Sequence, residues 1–299
     1  MTRQRHVPTQ YAEEAHAIRP REMDFRWDDV PLHYIPGQMV ATHAYNVMHM
    51  LLPEGEKAMS AALAQALPLI EDPRLREEVI GFIGQEATHA DSHEGVQDRL
   101  AELGVDFGPA LRRLRKLIDI IMGDYGNERV RHQLLCERLA LFSALEHFTA
   151  VWGKFFLDSE GLANSGMDPM VLDLLRWHGA EEVEHRNVVF DAYQYVDGSY
   201  FRRLRMGILG TAWLFGAGVL SLAYLISQDP ERRARRTVYG RYVSPVVELI
   251  RAQRNGVIPN LLGGFTELPQ YLRPGFHPSE LGGMDLAVRY LASAPIKES

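Results

Sequence analysis

The apolar positions along this chain recur at helical rather than strand spacing. From about residue 41 to residue 196 they fall three and four apart, and the strict alternation of a half-buried strand is nearly absent. The pattern predicts a helix over about 52–70, ended by Asp72-Pro73. A second starts at Pro73, whose fixed φ suits a first helical turn, and ends near Leu103-Gly104. Asp106, Gly108 and Pro109 mark a loop. A charged helix over about 111–122 and a long one over 128–157 follow. Asn164, Gly166 and Pro169 then break the chain before a fourth long helix expected over 169–196. Long helices joined by turns predict an all-α fold built on a four-helix bundle.

The two ends read differently. Residues 1–40 carry Pro8, Pro20, Pro31 and Pro36 with scattered aromatics and no sustained period, which predicts an extended arm wrapping the core. Residues 206–226 contain no charge and lie between Arg202-Arg203-Leu204-Arg205 and Arg232-Arg233-Ala234-Arg235-Arg236. That length suffices to cross a bilayer. Gly207, Gly210, Gly216 and Gly218, with Thr211 and Ser221, equally suit close packing on the bundle or on a second copy of the chain. A short amphipathic stretch over 243–254 and a Pro/Gly-rich end complete the tail. The expected organisation is an arm (1–40), a helical bundle (41–198) and a helical extension (199–299) containing one long apolar helix.

The core-facing stripes of the bundle contain ionisable residues. On the second helix Val79, Phe82 and Ile83 lead through Glu86 and His89 to Val96 and Leu100, with His93 on the same line. On the fourth, Val171, Leu174 and Leu175 lead to His178, Glu182 and His185. Leu135, Leu139 and Phe142 lead to Glu146 on the third, and Glu56 stands one turn before Met59 on the first. Buried unpaired carboxylates are costly, and four converging in one bundle repel each other; cations remove the penalty. Residues three apart on a helix lie about 60° apart in azimuth and about 4.5 Å apart in rise, so both heads of a Glu-x-x-His reach one ion. Chance supplies roughly one such pair in a chain with 12 His. There are three: Glu13/His16 in the polar arm, Glu86/His89 and Glu182/His185. The order Glu, Glu-x-x-His, Glu, Glu-x-x-His over successive helices is that of a ferritin-like dinuclear carboxylate site.

The candidate metal ligands are therefore Glu56, Glu86, His89, Glu146, His178, Glu182 and His185. Glu54 competes with Glu56, and Glu137 with Glu146, but both fall off the stripes. His178 is read either as a seventh ligand or as a hydrogen-bond partner of one, and His93 as a partner or a satisfied core histidine. His147, Asp191 and Tyr193 are further candidates to support the ligands, Asp191 and Tyr193 by orienting imidazoles. His147 and Glu181 adjoin ligands but face elsewhere, Glu184 reads as a surface or supporting charge, and His277 as structural.

Composition narrows the chemistry. The 299 residues carry a formal charge of −7 with no long basic run, which argues against nucleic acid as a partner. The single cysteine, Cys136, excludes an internal disulfide framework and a zinc site built on several thiolates. Carboxylates and imidazoles suit two Fe ions, with Mn or Zn as alternatives. The first residues hold no apolar signal segment, so a cytoplasmic protein is expected, with membrane association through 206–226 as the other reading.

The stretches Phe82-Ile83-Gly84-Gln85-Glu86-Ala87-Thr88-His89, Ala144-Leu145-Glu146-His147-Phe148-Thr149-Ala150 and Trp177-His178-Gly179-Ala180-Glu181-Glu182-Val183-Glu184-His185 resemble the signatures of the predicted metal-dependent hydrolases, a bacterial family similar to ferritin-like di-iron proteins. Arg273-Pro274-Gly275-Phe276-His277-Pro278 resembles that family's C-terminal motif, and the resemblance extends over about 37–278. In its ligand pattern alone the chain is also similar to aminobenzoate N-oxygenases, which place a further His one turn before the last Glu-x-x-His, as His178 stands here. The ligand chemistry leads us to expect an O2-activating di-iron oxygenase or hydroxylase acting on a small apolar substrate. No flavin or phosphate-binding fingerprint is present, so its electrons would come from a separate donor. The alternative is a dinuclear metal-dependent hydrolase. Iron storage or a structural metal bundle ranks below both.

Overall fold

The computed structural model describes residues 18–232, 244–260, 264–294 and 297–298. Within them four short polar side chains set where long helices begin. Asp72 accepts from the backbone N–H of Arg74 and Leu75, Asn127 from Val130, Asp168 from Met170 and Val171, and Ser199 from Arg202. Each satisfies amides that a helix start leaves unpaired. The helices are α1 (Met39–Ala66), α2 (Pro73–Glu102), α3 (Gly108–Met122), α4 (Glu128–Asp158), α5 (Glu160–Ala163), α6 (Pro169–His185), α7 (Val188–Val196), α8 (Tyr200–Gln228), α9 (Pro245–Arg254), α10 (Gly264–Leu272) and α11 (Met284–Ser293). The all-α class is as expected; the one extended pairing among the described residues joins Arg21–Glu22 to Lys297–Glu298. The Glu13/His16 pair and residues 233–236 lie outside the described residues.

Three boundaries differ from the sequence reading, each for a local reason. Helix α1 begins at Met39, not near 52, and runs through Pro53. Proline cannot donate to the carbonyl four residues back; here that carbonyl, on His49, is taken by the Gln97 side-chain amide at 2.7 Å. The helix expected over 169–196 is two helices, broken at Arg186-Asn187. The buried Arg186 guanidinium donates to the Val183 carbonyl, which the next turn would otherwise use, and to Pro278 O. The Pro/Gly-rich end contains helices α10 and α11, separated by a 3-10 turn at Pro278–Leu281 that His277 caps. Gly282 and Gly283 follow it at φ of +65° and +88°, a region closed to most side chains.

Helices α1, α2, α4 and α6 pack in a ring, α1 on α2 and α4, α6 on α4 and α2. The tightest crossing joins Gly153 of α4 to Gly179 of α6, where a Cβ on Gly153 would come 2.5 Å from the Gly179 carbonyl oxygen. Only glycine permits that approach, and it holds the α6 face next to Glu182. Two apolar clusters fill the ring's ends. One includes Tyr45, Met50, Val96, Leu100, Phe156 and Trp177; the other includes Met59, Leu63, Val79, Phe82, Leu139 and Val189. On each of the four helices the candidate ligands fall between the two. The described part of the arm lies along α2, with Ile18, Pro20 and Trp27 over Gly81, Gly84 and Gly95. Helix α8 packs on α4 and α1, and α11 on α6 and α4.

Candidate metal centre

The polar layer between the apolar clusters brings together all seven residues singled out as ligands. Glu56 comes from α1, Glu86 and His89 from α2, Glu146 from α4, and His178, Glu182 and His185 from α6; none is more than 4% exposed. His185 Nε2 lies 3.3 Å from Glu86, 3.2 Å from Glu146 and 3.4 Å from Glu182. His89 Nδ1 lies 3.6 Å from both Glu86 and Glu182. Donors around one ion at bond lengths of about 2.1 Å are themselves about 3.0–3.4 Å apart, so these spacings fit cation ligands. Glu86 belongs to two groups of convergent donors, one with Glu56 and His89 and one with Glu146 and His185.

The hydrogen-bond inventory points the same way. Both carboxylate oxygens of Glu56 and Glu86, one each of Glu146 and Glu182, His89 Nδ1 and His185 Nε2 are buried without a well-formed hydrogen bond. Buried polar atoms are ordinarily satisfied. Eight orphans facing one spot are explained by cations.

The far sides of the two imidazoles are tied into a belt. His89 Nε2 donates to Glu181 at 2.9 Å, and Glu181 pairs with Arg21 at 2.9 Å. Arg21 also pairs with Glu184, which accepts from the Gln85 amide. Gln85 Oε1 accepts from His185 Nδ1 at 3.0 Å. The belt fixes which ring nitrogen of each histidine faces the cluster, the support that metal-ligating imidazoles usually receive. Glu181 had been read as facing elsewhere. It is buried, and it lies on one stripe with 178, 182 and 185 (i, i+3, i+4, i+7), the signal that could have found it. Glu181→Leu is expected to lower metal affinity about 10–100-fold with the number of ions unchanged, as read by competition with a chromophoric chelator. Unaltered affinity would assign the orientation of His89 to packing instead.

Charge is unevenly shared inside the cluster. Burial, then the charge of Glu182, pushes Glu146 up to about 8, and burial followed by Glu86 holds Glu56 well above the carboxylate range. Burial opposes ionisation of Glu182 too, but the charge of His185 and the hydrogen bond from His178 outweigh it and hold that carboxyl well below its usual range. Burial opposes a charged His89, but the Glu181 hydrogen bond and the charges of Glu86 and Glu181 outweigh it and raise that imidazole to about 10. The charges of Glu146 and Glu182 likewise outweigh burial at His185, which is raised well above the ordinary value.

A row of histidines leaves the cluster. His178 Nε2 contacts Glu182 at 2.8 Å, His178 Nδ1 contacts His93 Nε2 at 2.5 Å, and His93 Nδ1 contacts His49 Nδ1 at 2.7 Å. Burial lowers all three, His49 to about 3. Neutral rings then have one consistent arrangement: His49 donates to His93, His93 to His178, and His178 to Glu182. His49 was not singled out in the sequence, although it stands two turns before Glu56.

Three supporting candidates lie elsewhere. His147 packs among Phe148, Tyr271 and Phe276. Asp191 does not orient a cluster imidazole; it bonds His277 Nε2 at 3.0 Å. Tyr193 donates to Ser199 O. The break after His185 turns α7 off the α6 stripe, so a continuous helical phase misplaces Asp191 and Tyr193. Glu54 pairs with Arg115, and Glu137 with Arg202 and Arg205, on the surface side of their helices. A separate group joins His33 and His43 to Asp229, 2.7 and 2.8 Å away, beyond the end of α8. Those distances are hydrogen bonds to a carboxylate.

Residues 19–282 match the family described as predicted metal-dependent hydrolase. No curated protein and no solved structure matches the chain. The family match corrects the expectation of an O2-activating oxygenase. Carboxylate and imidazole donors serve redox and hydrolytic metals alike, so the ligand types alone did not separate the two chemistries. With its His/Glu clusters in place and the match spanning most of its length, this chain belongs to the predicted metal-dependent hydrolase family.

Proposed function

We propose that the protein is a dinuclear metal-dependent hydrolase whose centre is the Glu/His cluster. The observation that carries this reading is the set of buried, orphaned donor atoms aimed at one another from four helices. Glu86, Glu146 and His185 would hold one divalent ion and Glu56, Glu86 and His89 the other, with Glu182 and His178 alongside. Zn, Mn and Fe all accept such donors. Two cations held there would supply Lewis acidity for activating water and polarising the bond to be cleaved.

The remaining roles fall to the chain itself. Glu181 and Gln85 keep His89 Nδ1 and His185 Nε2 facing inward, and Arg21 anchors that belt from the arm. His178 holds its proton on Nε2 against Glu182, oriented by the hydrogen bond from His93, which His49 holds in turn. The two apolar clusters exclude bulk water above and below the layer. Hydrolysis moves no electrons, so it needs neither O2 nor a separate electron donor, and a small apolar substrate remains the reading for what enters.

Protein stripped with a chelator should lose activity against a panel of p-nitrophenyl esters, anilides and phosphoesters. About two equivalents of Zn or Mn should restore it. Metal-loaded protein that cleaves none of the three bond classes would count against hydrolysis, whatever its metal content.

A further inference from the structure

A cavity of about 330 Å³ lies between α1, α4, α8 and α9, apart from the metal centre. Its walls include Ala44 and Met48 of α1, Trp152 of α4, Phe215 and Leu222 of α8 and Leu249 of α9; among the described residues Arg232 is its one charged lining residue. The volume is that of a small-molecule site, and the described walls are almost wholly apolar. The cavity reaches the surface between Val219 and Val246, which line it and are 61% and 62% exposed.

That mouth opens on an apolar stripe. From Ile208 to Ser227 the exposed positions of α8 are Ile208, Leu209, Ala212, Gly216, Val219, Leu220, Ala223 and Ser227, without one charge; Leu220 is 73% exposed. Val247 and Ile250 of α9 extend it. A continuous apolar surface of this kind marks an interaction face. The opposite face of α8 is packed on α4 and α1, so the helix lies along the protein.

Charge chooses between two occupants. Cations rim the apolar face, with Arg232 at the cavity and the exposed Arg251 and Arg254 on α9. Two copies meeting on this face would bring one cationic rim against the other. An anionic lipid surface is complementary to both the apolar stripe and its rim.

We propose that the α8–α9 face docks on anionic membrane lipid and that the cavity takes one acyl chain from it, with Arg232 facing the headgroup. The assignment concerns binding and stands whether or not the metal centre is hydrolytic.

Flotation of the full chain with phosphatidylcholine vesicles, with and without phosphatidylglycerol, tests the face. Binding is expected with the anionic lipid, weakened by salt, and at least tenfold weaker for Leu220→Asp, whose side chain touches neither core nor metal cluster. Vesicles carrying brominated acyl chains test the cavity. In a Trp213→Phe background, which removes the indole on α8 itself, they should quench tryptophan fluorescence, and adding Trp152→Phe should remove that quenching while binding persists. Failure to float with either vesicle, or quenching indifferent to Trp152, overturns the proposal. So does a dimer in solution that Leu220→Asp converts to monomers without any vesicle binding.

Discussion

Glu86→Gln is expected to cut bound metal from about two ions per chain to fewer than one, and hydrolysis by more than the roughly 10–100-fold that loss of a supporting hydrogen bond costs. Glu86 is the carboxylate common to both groups of donors, between His89 on its own helix and His185 across the bundle. Losing it therefore weakens both ion sites together. The metal-free variant should melt no higher than metal-free wild type, because Glu56 and Glu146 already hold protons there and Glu86 is one of the groups that keep His89 charged. Elemental analysis and melting curves with and without metal read both effects. Glu137→Gln, which alters a carboxylate paired with Arg202 and Arg205 on the surface, should change neither metal content nor activity. A Glu86→Gln protein that keeps two ions would remove Glu86 from its shared role.

Raising the pH from 7 to 9 should destabilise the metal-free protein and stabilise the metal-loaded one. Glu146 is raised to about 8 and His89 to about 10, and Glu56 and His185 are also raised. For a raised group the folded state holds a proton that the unfolded chain has already released. Its contribution is complete below the unfolded value and is lost as pH climbs through the folded one. Each such proton costs about 1.4 kcal/mol per pH unit across that interval. His49, His93 and His178 are shifted downward and are neutral in both states above pH 7, so they leave the trend unchanged. Cations must displace the same protons, and affinity should rise about tenfold per pH unit for each proton released. Calorimetric titrations in buffers of different ionisation enthalpy count those protons directly. Metal affinity flat between pH 7 and 9 would mean that the cluster is already fully deprotonated.

Several distinctions depended on contacts between residues far apart in sequence. The Glu-x-x-His pairs and the lone Glu on each partner helix were legible because a 3.6-residue period places an ionisable group on a core stripe only by design or at a cost. Asp72-Pro73 and Pro169 marked helix starts for equally local reasons. Helix α1 starts well before the expected 52 and runs through Pro53, because the His49 carbonyl that proline leaves unpaired is taken by Gln97 on another helix. The break inside the expected 169–196 helix was not legible, because Arg186 takes the Val183 carbonyl only while its second acceptor, Pro278, holds it from far away in the chain. Once the helix breaks there, Asp191 and Tyr193 point away from the imidazoles they were expected to orient.

By itself the sequence determined the all-α class, the family and the residues that converge in the polar layer, because local capping and helical periodicity act within a few turns. Tertiary structure decided how that layer is supported. Arg21, Gln85, Glu181 and Glu184 form one belt only after the arm, α2 and α6 meet. It also placed α8 along α4 and α1 with an apolar face left outward. Hydrogen bonds and burial of this kind join residues about a hundred or more positions apart, and no periodicity in the chain records which distant partner each side chain will find.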